Sequence, residues 1–237
     1  AMREVPVYLF TGFLDAGKTT FIQETLEDPQ FNSGEKTLLL MCEEGETEFC
    51  PLSFASTNVK IISVDEEETI TTEYLKKLEK EIGFERVVIE YNGMWMIDSL
   101  YQKLPENWVV YQEMAFADSR TFLTYNNNMR NLTVDKMKSP ELIVFKHFDE
   151  SMDKMEYHKI VRVINRRCQI IYEYAKDRIE FDNIEDPLPY DMDASVIEIE
   201  DKNYAIWYTD VNEEEEKYYG KTVDIRGRSL IGGGLDD

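Results

Sequence analysis

The stretch TGFLDAGKTTF, residues 11–21, decides the fold of this chain. It contains Gly12, four further residues and then Gly17, Lys18 and Thr19, which fits the phosphate-binding pattern G-x-x-x-x-G-K-[ST]. The apolar run VPVYLF precedes it, and TTFIQETLED, with apolar residues at helical spacing, continues from it. The pattern therefore lies between a predicted strand and the N-terminus of a predicted helix.

A loop in that place can aim several backbone N–H groups at one phosphate, and the helix dipole adds partial positive charge. We expect Gly12 and Gly17 to allow turns that a Cβ would hinder. Lys18 is expected to reach the β- and γ-phosphates and to act in catalysis, and the Thr19 hydroxyl is expected to bind Mg²⁺. The other nucleotide-binding residues expected in this stretch are Asp15, Ala16 and Thr20.

The balance of charge argues against two classes of partner. Lys and Arg total 26 against 48 Asp and Glu, which gives a net charge of −22. So acidic a surface repels nucleic acid and anionic membranes, and we expect neither as a partner. A nucleotide site must then create a local positive field from the loop, the lysine and a metal ion.

Cysteine usage and the N-terminus bear on the compartment. The three cysteines, Cys42, Cys50 and Cys168, have no framework spacing, which indicates a reducing environment. The first apolar run is too short for a signal peptide, and no stretch approaches the length of a transmembrane span. We therefore expect a cytoplasmic protein.

Strands alternate with helices up to residue 175. Continuous apolar runs such as KTLLLMC, residues 36–42, are typical of parallel strands covered on both faces. This predicts an α/β domain with a mostly parallel central sheet and helices on both faces. The predicted strands are 5–11, 36–42, 58–64, 85–93, 108–118, 141–149 and 168–174, and the predicted helices are 18–28, 72–83, 119–137 and 151–164.

The pattern changes at residues 176–237, which we predict to be an acidic linker and a small β-rich extension. ASVIEIE and NYAIWYTD, residues 194–200 and 203–210, read as strands paired across Asp201 and Lys202, and KTVDIRGR begins another strand. The extension is open to two interpretations. It is either the start of a truncated second domain or an arm that binds a partner protein.

The fourth predicted strand supplies a second part of a nucleotide site. Its sequence VVIEYNG places Glu90 at the strand end and Gly93 three residues later. Glu90 fits the acid that binds Mg²⁺, and Gly93 fits the residue whose backbone approaches the γ-phosphate. A strand that ends in a common Asn-Gly turn would look the same, but the phosphate loop upstream favours the functional interpretation.

The sixth predicted strand ends in Lys146, His147, Phe148 and Asp149, where a guanine-specific protein carries N-K-x-D. In that motif the acid accepts hydrogen bonds from guanine N1 and N2. Asp149 stands at the right position, although the Asn and the Lys before it are replaced. The alternative is an acid at a strand end that serves only solvation.

These motifs together resemble those of one family of nucleotide-binding proteins. GFLDAGKTT resembles the GFLGAGKTT phosphate loop of the CobW/HypB/UreG P-loop GTPases, in their CobW branch, and CEEGE, residues 42–46, is similar to that branch's NEFGE. IEYNG resembles the Glu-x-x-Gly segment of that branch. FADSRTF, residues 116–122, resembles its VDA-x-x-F segment, and KHFD occupies its NKxD position. The resemblance covers roughly residues 5–175.

This resemblance implies a P-loop NTPase fold and Mg²⁺-dependent GTP hydrolysis, often coupled to delivery of a metal ion. It places Glu43 and Glu46 near the γ-phosphate, where one of these carboxylates would orient the attacking water, and Asp118 on the nucleotide side of the sheet. No arginine is obviously poised to act as a finger, so we expect slow turnover. The partners it suggests are a guanine nucleotide and either a client metalloprotein or a second copy of the chain.

The cysteines depart from the family pattern. The CobW branch usually carries C-x-C-C after its NEFGE segment, whereas this chain has a single Cys50 there. Two interpretations are open. In the first, Cys42 and Cys50 converge with nearby glutamates on a metal such as Zn²⁺; in the second, Cys42 is a buried thiol and Cys50 has no role in binding. The alternative function is therefore a nucleotide-gated metal carrier or a protein-interaction switch in which hydrolysis is incidental.

Overall fold

The computed structural model describes residues 2–225 and 228–231 of the chain. Chain contacts divide it into two units, Ala1–Asn183 and Ile184–Asp237. The first unit extends past the boundary that we predicted at residue 175, because one more strand pairs with its sheet.

The first unit is built on one sheet of eight strands in the order β3-β2-β4-β1-β5-β6-β7-β8. Strands β1 to β7 pair in parallel, and β8 runs antiparallel to β7. This confirms the predicted mostly parallel sheet. The strands are β1 Val5–Gly12, β2 Thr37–Met41, β3 Val59–Ser63, β4 Arg86–Glu90, β5 Trp108–Asp118, β6 Leu142–Lys146, β7 Gln169–Glu173 and β8 Ile179–Phe181.

Six α-helices connect these strands. No helix in the described parts of the chain combines the length and the apolar character needed to cross a membrane. The helices are α1 Lys18–Glu27, α2 Thr72–Ile82, α3 Ile97–Lys103, α4 Ser119–Asn128, α5 Arg130–Met137 and α6 Lys154–Ile164. Short 3₁₀ turns lie at Pro51–Ser53, Glu67–Thr69 and Ala175–Asp177.

Alternate residues of β1 enter two different cores, which explains its continuous apolar run. Val7 and Leu9 pack in a cluster that includes Leu75 of α2. Phe10 belongs to a cluster on the other side with Ile22 of α1. Because side chains alternate across a strand, both faces of the central strands are buried.

The structure differs from the prediction in two helical regions. The single helix expected over 119–137 is two helices, because Met129 leaves helical geometry at φ −133° and ψ 53°. Three asparagines, which favour helices weakly, precede this break. The short helix α3 was not predicted. It buries Ile97 and Leu100 against the first core.

The second unit contains a small three-stranded sheet in the order β11-β10-β9. Its elements are β9 Val196–Ile199, α7 Tyr204–Glu213, β10 Thr222–Ile225 and β11 Arg228–Ile231, with 3₁₀ turns at Asp201–Asn203 and Glu215–Tyr218. The predicted small sheet is present. The predicted hairpin across Asp201 is wrong, because β9 and β10 pair in parallel and 204–213 is the helix between them.

The helix α7 forms because its apolar residues lie one helical turn apart. Trp207 and Val211 are buried in a cluster with the strand residues Ile197 and Val223. Aromatic and β-branched residues are common in strands, and this composition led to the strand prediction. The spacing of four residues between Trp207 and Val211 is the signal that favours a helix.

A buried lysine on α5 holds the segment that follows β4. The Lys136 side chain is fully buried, and its ammonium donates to the carbonyl of Trp95 and lies 3.6 Å from the Asp135 carboxylate. Asp135 in turn accepts from the N–H of Ile97 at 2.6 Å. Burial lowers the pKa of Lys136 to about 8, although the Asp135 charge opposes the shift.

We expect a pH signature from this lysine. Its pKa is lowered from 10.5 to about 8 on folding, so between these values the unfolded chain binds a proton that the folded chain does not. Stability from this group therefore rises with pH from about 8 to about 10.5, by up to about 3 kcal/mol, and is constant below pH 8. Urea unfolding of the wild type and Lys136→Met across this range measures the difference.

In that experiment the wild type gains stability relative to Lys136→Met as the pH rises. Lys60→Met, at an exposed position of β3, controls for the loss of one lysine. Parallel pH curves for the wild type and Lys136→Met would contradict the burial effect.

The stability of two truncated chains tests where the first unit ends. A chain that ends at Asn183 keeps Asp182, whose carboxylate accepts from the Tyr172 hydroxyl and lies 3.0 Å from His158 Nδ1. A chain that ends at residue 175 leaves these two buried side chains without that carboxylate and removes β8. We expect residues 1–183 to unfold cooperatively and 1–175 to be less stable by about 1–3 kcal/mol, measured by thermal and urea unfolding. Equal stability of the two fragments would contradict this assignment.

Candidate functional site

The candidate site lies at the carboxyl edge of the sheet. Strands β4, β1, β5 and β6 are neighbours there, and all four run in the same direction. Their ends place Glu90, the loop after Gly12, Asp118 and Lys146 side by side. In open α/β sheets this edge is where ligands bind.

The loop between β1 and α1 has the backbone that a phosphate site requires. Gly17 stands just before α1 with φ 95°, and Asp15 has φ 59°, so both lie in the left-handed region. A turn of this kind directs successive N–H groups to one side, toward the start of the helix. The predicted phosphate loop is therefore present as a strand, a tight loop and a helix N-terminus.

Two glycines permit close packing behind the loop. A Cβ on Gly12 would lie 2.0 Å from the carbonyl oxygen of Phe116, and Gly12 also has φ 127°. A Cβ on Gly93 would lie 2.5 Å from the carbonyl oxygen of Gly12. Both predicted positions thus act through backbone approach, because any side chain there would push the strand ends apart.

Lys18 is the first residue of α1, and its side chain is 3% exposed. Its ammonium donates to the carbonyl oxygens of Gly12 at 2.9 Å and Tyr91 at 3.1 Å. It also forms an ion pair with the Glu43 carboxylate. The ammonium is therefore held at the floor of the site by three oxygens.

Thr19 and Glu90 supply oxygen ligands next to the lysine. The Thr19 hydroxyl donates to the Glu90 carboxylate at 2.7 Å. Burial raises the pKa of Glu90, and the Thr19 hydrogen bond and the Lys18 charge oppose that rise. A buried carboxylate beside a hydroxyl is a hard oxygen pair of the kind that Mg²⁺ takes. The predicted metal residues are thus brought together, and their chemistry fits that ion.

The segment after β2 closes over the loop. The Glu43 carboxylate accepts the N–H of Gly93 at 3.1 Å as well as pairing with Lys18. The N–H of Glu46 donates to the Asp15 side chain at 3.1 Å. Residues 43–46 therefore lie against the loop between β1 and α1.

These groups surround a cavity of about 580 Å³. That volume lies within the range of about 300–1,000 Å³ typical of sites for small ligands. The lining residues are Leu14, Asp15, Gly17, Lys18, Thr19, Thr20, Glu43, Gly45, Glu46, Thr47, Glu90, Asp118, Arg120, Lys146 and His147.

The far end of the cavity carries cations that are already paired. Arg120 donates to the Asp118 carboxylate through two nitrogens at 3.0 and 2.7 Å, and His147 Nδ1 lies 3.4 Å from the same carboxylate. Burial works against ionisation of Asp118, but the hydrogen bonds from Arg120 lower its pKa. Lys146 donates to Glu173 at 2.6 Å. This part of the cavity therefore carries both positive and negative side chains, paired with one another.

Four predicted residues do not line the cavity. Gly12 and Gly93 lie behind it, and Ala16 is fully buried in the core around Phe10. The Asp149 side chain is exposed and accepts from the N–H of Ser151 at 2.8 Å and from the Ser151 hydroxyl. In this structure Asp149 caps its own turn.

Six lining residues were not predicted as site residues, and Arg120 and Lys146 are the two among them that carry a formal charge; the others are Leu14, Gly45, Thr47 and His147. Both follow directly from position: Lys146 is the last residue of β6, and Arg120 lies two residues after β5. The signal was the strand order. Once β5 and β6 are known to lie beside β1, the residues at their carboxyl ends belong to the site.

The cysteines do not form a metal site in this structure. Burial raises the pKa of Cys42 to about 12, so it is a neutral thiol at physiological pH. Cys50 is exposed and lies next to Ser53. Within residues 2–225 and 228–231, no group of three or more His, Cys, Asp and Glu side chains is placed to hold a metal ion.

Comparison with known proteins agrees with this geometry. A family model, the CobW/HypB/UreG nucleotide-binding domain, matches residues 6–172. No curated protein matches the sequence at a significant level. Among solved structures the chain is similar to Zn(II)-bound YjiA GTPase from E. coli, with 22% identity and a TM-score of 0.53. It is also similar to hydrogenase maturation factor HypB from Archaeoglobus fulgidus, with 16% identity and a TM-score of 0.50.

The coverage of these matches is partial. The YjiA match covers 75% of this chain and 60% of that chain, and the HypB match covers 73% and 82%. At such identities the solved structures establish likeness of fold. The family model establishes more, since it spans well over half of the sequence and contains the loop, the lysine and the strand-end carboxylate. The chain therefore belongs to the CobW/HypB/UreG family through its nucleotide-binding domain.

Proposed function

We propose that this protein is a Mg²⁺-dependent GTP-binding protein with slow GTPase activity. The observation that carries the proposal is the contact between Thr19 and Glu90 directly beside the buried ammonium of Lys18. A metal-binding pair next to a phosphate-binding lysine is the core of a nucleoside triphosphate site. Family membership supports the same assignment.

Different groups of the chain bind the phosphates and neutralise their charge. The N–H groups of the loop and the start of α1 bind phosphate oxygens, and the Lys18 ammonium neutralises charge that develops on them. Thr19 and Glu90 would hold Mg²⁺, which when bound neutralises further charge on the phosphates. Asp15 keeps the Glu46 N–H at 3.1 Å and so holds the segment after β2 near the site.

Hydrolysis needs a group that orients water. Glu43 and Glu46 are the carboxylates of the segment after β2 that line the cavity, and we propose that one of them takes this role. Arg120 is the arginine among the cavity residues, and its Nε and Nη2 already donate to the Asp118 carboxylate. It is not free to act as a finger, which is consistent with slow turnover until a partner supplies one.

Guanine recognition would fall to the far end of the cavity. Guanine offers donors at N1 and N2, which a carboxylate accepts. Asp118 lines that end, and Asp149 follows β6 close by in sequence. We propose that GTP is preferred over ATP, with Asp149 or Asp118 accepting from the base.

Binding measurements with GTP and ATP test the proposal. Lys18→Ala removes the ammonium that balances the phosphate charge, so we expect a loss of GTP affinity of about 100-fold or more. Lys60→Ala, at an exposed position far along the chain, is the matched control and should bind GTP normally. Equal affinity of the wild type for GTP and ATP would rule out the guanine assignment. Normal binding by Lys18→Ala would rule out this loop as the phosphate site.

The metal assignment has its own test. Glu90→Gln keeps the shape and removes a carboxylate whose pKa burial raises, so the variant should fold at least as stably as the wild type. We expect it to lose the gain in GTP affinity and in phosphate release that Mg²⁺ gives the wild type. Titration of Mg²⁺ at fixed GTP, with calorimetry and a phosphate-release assay, measures both. An unchanged Mg²⁺ dependence would contradict the role of Glu90.

A further inference from the structure

One carboxylate in this structure takes two donors that a terminal phosphate would need. One oxygen of Glu43 pairs with the Lys18 ammonium, and the other accepts the N–H of Gly93 at 3.1 Å. The Glu43 side chain is 9% exposed, so both contacts are largely shielded from water. The two donors come from separate elements, the start of α1 and the turn after β4, and Glu43 bridges them.

We propose that Glu43 occupies the place of the terminal phosphate and thereby determines how strongly the site prefers a nucleoside triphosphate over a diphosphate. The inference rests on the proposed function, in which Lys18 and Gly93 face that phosphate. A γ-phosphate and the Glu43 carboxylate are both anions, and they cannot share these donors. The carboxylate must therefore leave when a triphosphate binds.

A diphosphate does not require the same displacement. In the proposed function the Gly93 N–H contacts the γ-phosphate alone, so its hydrogen bond to Glu43 persists when the γ-phosphate is missing. Both nucleotides compete for Lys18, but the cost of breaking the Gly93–Glu43 contact falls on triphosphates alone. Charge-assisted hydrogen bonds in a shielded site are strong enough for this cost to change affinity by about tenfold or more.

The backbone on either side holds Glu43 at this point. The N–H of Cys42 donates to the Glu90 carbonyl at 2.9 Å, and the Asn92 side chain donates to the Cys42 carbonyl at 3.1 Å. Residues 43–49 continue from this anchor over the loop. When the carboxylate is displaced, the segment loses its contact with Lys18 and Gly93, so its position reports which nucleotide is bound.

The experiment compares the affinities of two nucleotides in three proteins. Calorimetry with Mg²⁺ measures the Kd of GDP and of a non-hydrolysable GTP analogue for the wild type, Glu43→Gln and Glu44→Gln. Glu44 is the exposed neighbour, and its substitution removes the same charge from the same segment. We expect Glu43→Gln to raise the preference for the triphosphate about tenfold and Glu44→Gln to leave it unchanged.

A second measurement keeps the inference testable if Glu43→Gln folds poorly. Hydrogen exchange of the wild type over residues 43–49 should increase more with the triphosphate analogue than with GDP. An unchanged preference in Glu43→Gln, or equal exchange with both nucleotides, overturns the inference while the proposed function stands. Failure of the wild type to bind either nucleotide overturns both.

Discussion

The burial of one ammonium group governs the architecture of the site. Lys18 is almost inaccessible to water, and a buried charge is costly unless oxygens surround it. Those oxygens come from three separate places: the carbonyl at the end of β1, the carbonyl just after β4, and the carboxylate just after β2. The three strand ends must therefore meet, and the parallel order β2-β4-β1 is what lets them do so. Gly93 completes the arrangement, because a Cβ there would meet the carbonyl oxygen of Gly12 and separate two of the segments that the lysine joins.

The acidic character of the chain extends into the cavity. The net charge is −22, and each of the cations Lys18, Arg120 and Lys146 in the cavity is already paired with a carboxylate, namely Glu43, Asp118 and Glu173. A phosphate therefore does not meet a bare positive surface. It must compete with internal carboxylates, and only a ligand that also uses the N–H groups of the loop and a metal ion gains enough to do so. This arrangement favours selective binding over general attraction of anions.

The sequence predicts the parts of this protein that depend on short-range pattern. The strand, tight loop and helix around residues 11–21 and the fifth strand at 108–118 follow from local spacing, and the alternate burial along β1 follows from its apolar run. The failures lie where tertiary packing decides. Residues 204–213 have a strand-like composition, yet the burial of Trp207 and Val211 on one side makes them a helix. Arg120 lies in the segment 116–122 that the resemblance placed near the nucleotide, but its position in the cavity depends on β5 lying beside β1.

The degraded N-K-x-D segment has a physical explanation in the packing of the loop. Lys146 stands where that motif has Asn, and a Cβ on Gly17 would lie 2.9 Å from the Cε of Lys146. The aliphatic part of this lysine therefore fills the space beside the phosphate loop, while its ammonium is held by Glu173. A shorter side chain such as Asn would leave that space empty. The last residue of β6 thus packs against the loop between β1 and α1 in this chain. Beside it, Asp118, held in place by Arg120, presents a carboxylate to the cavity.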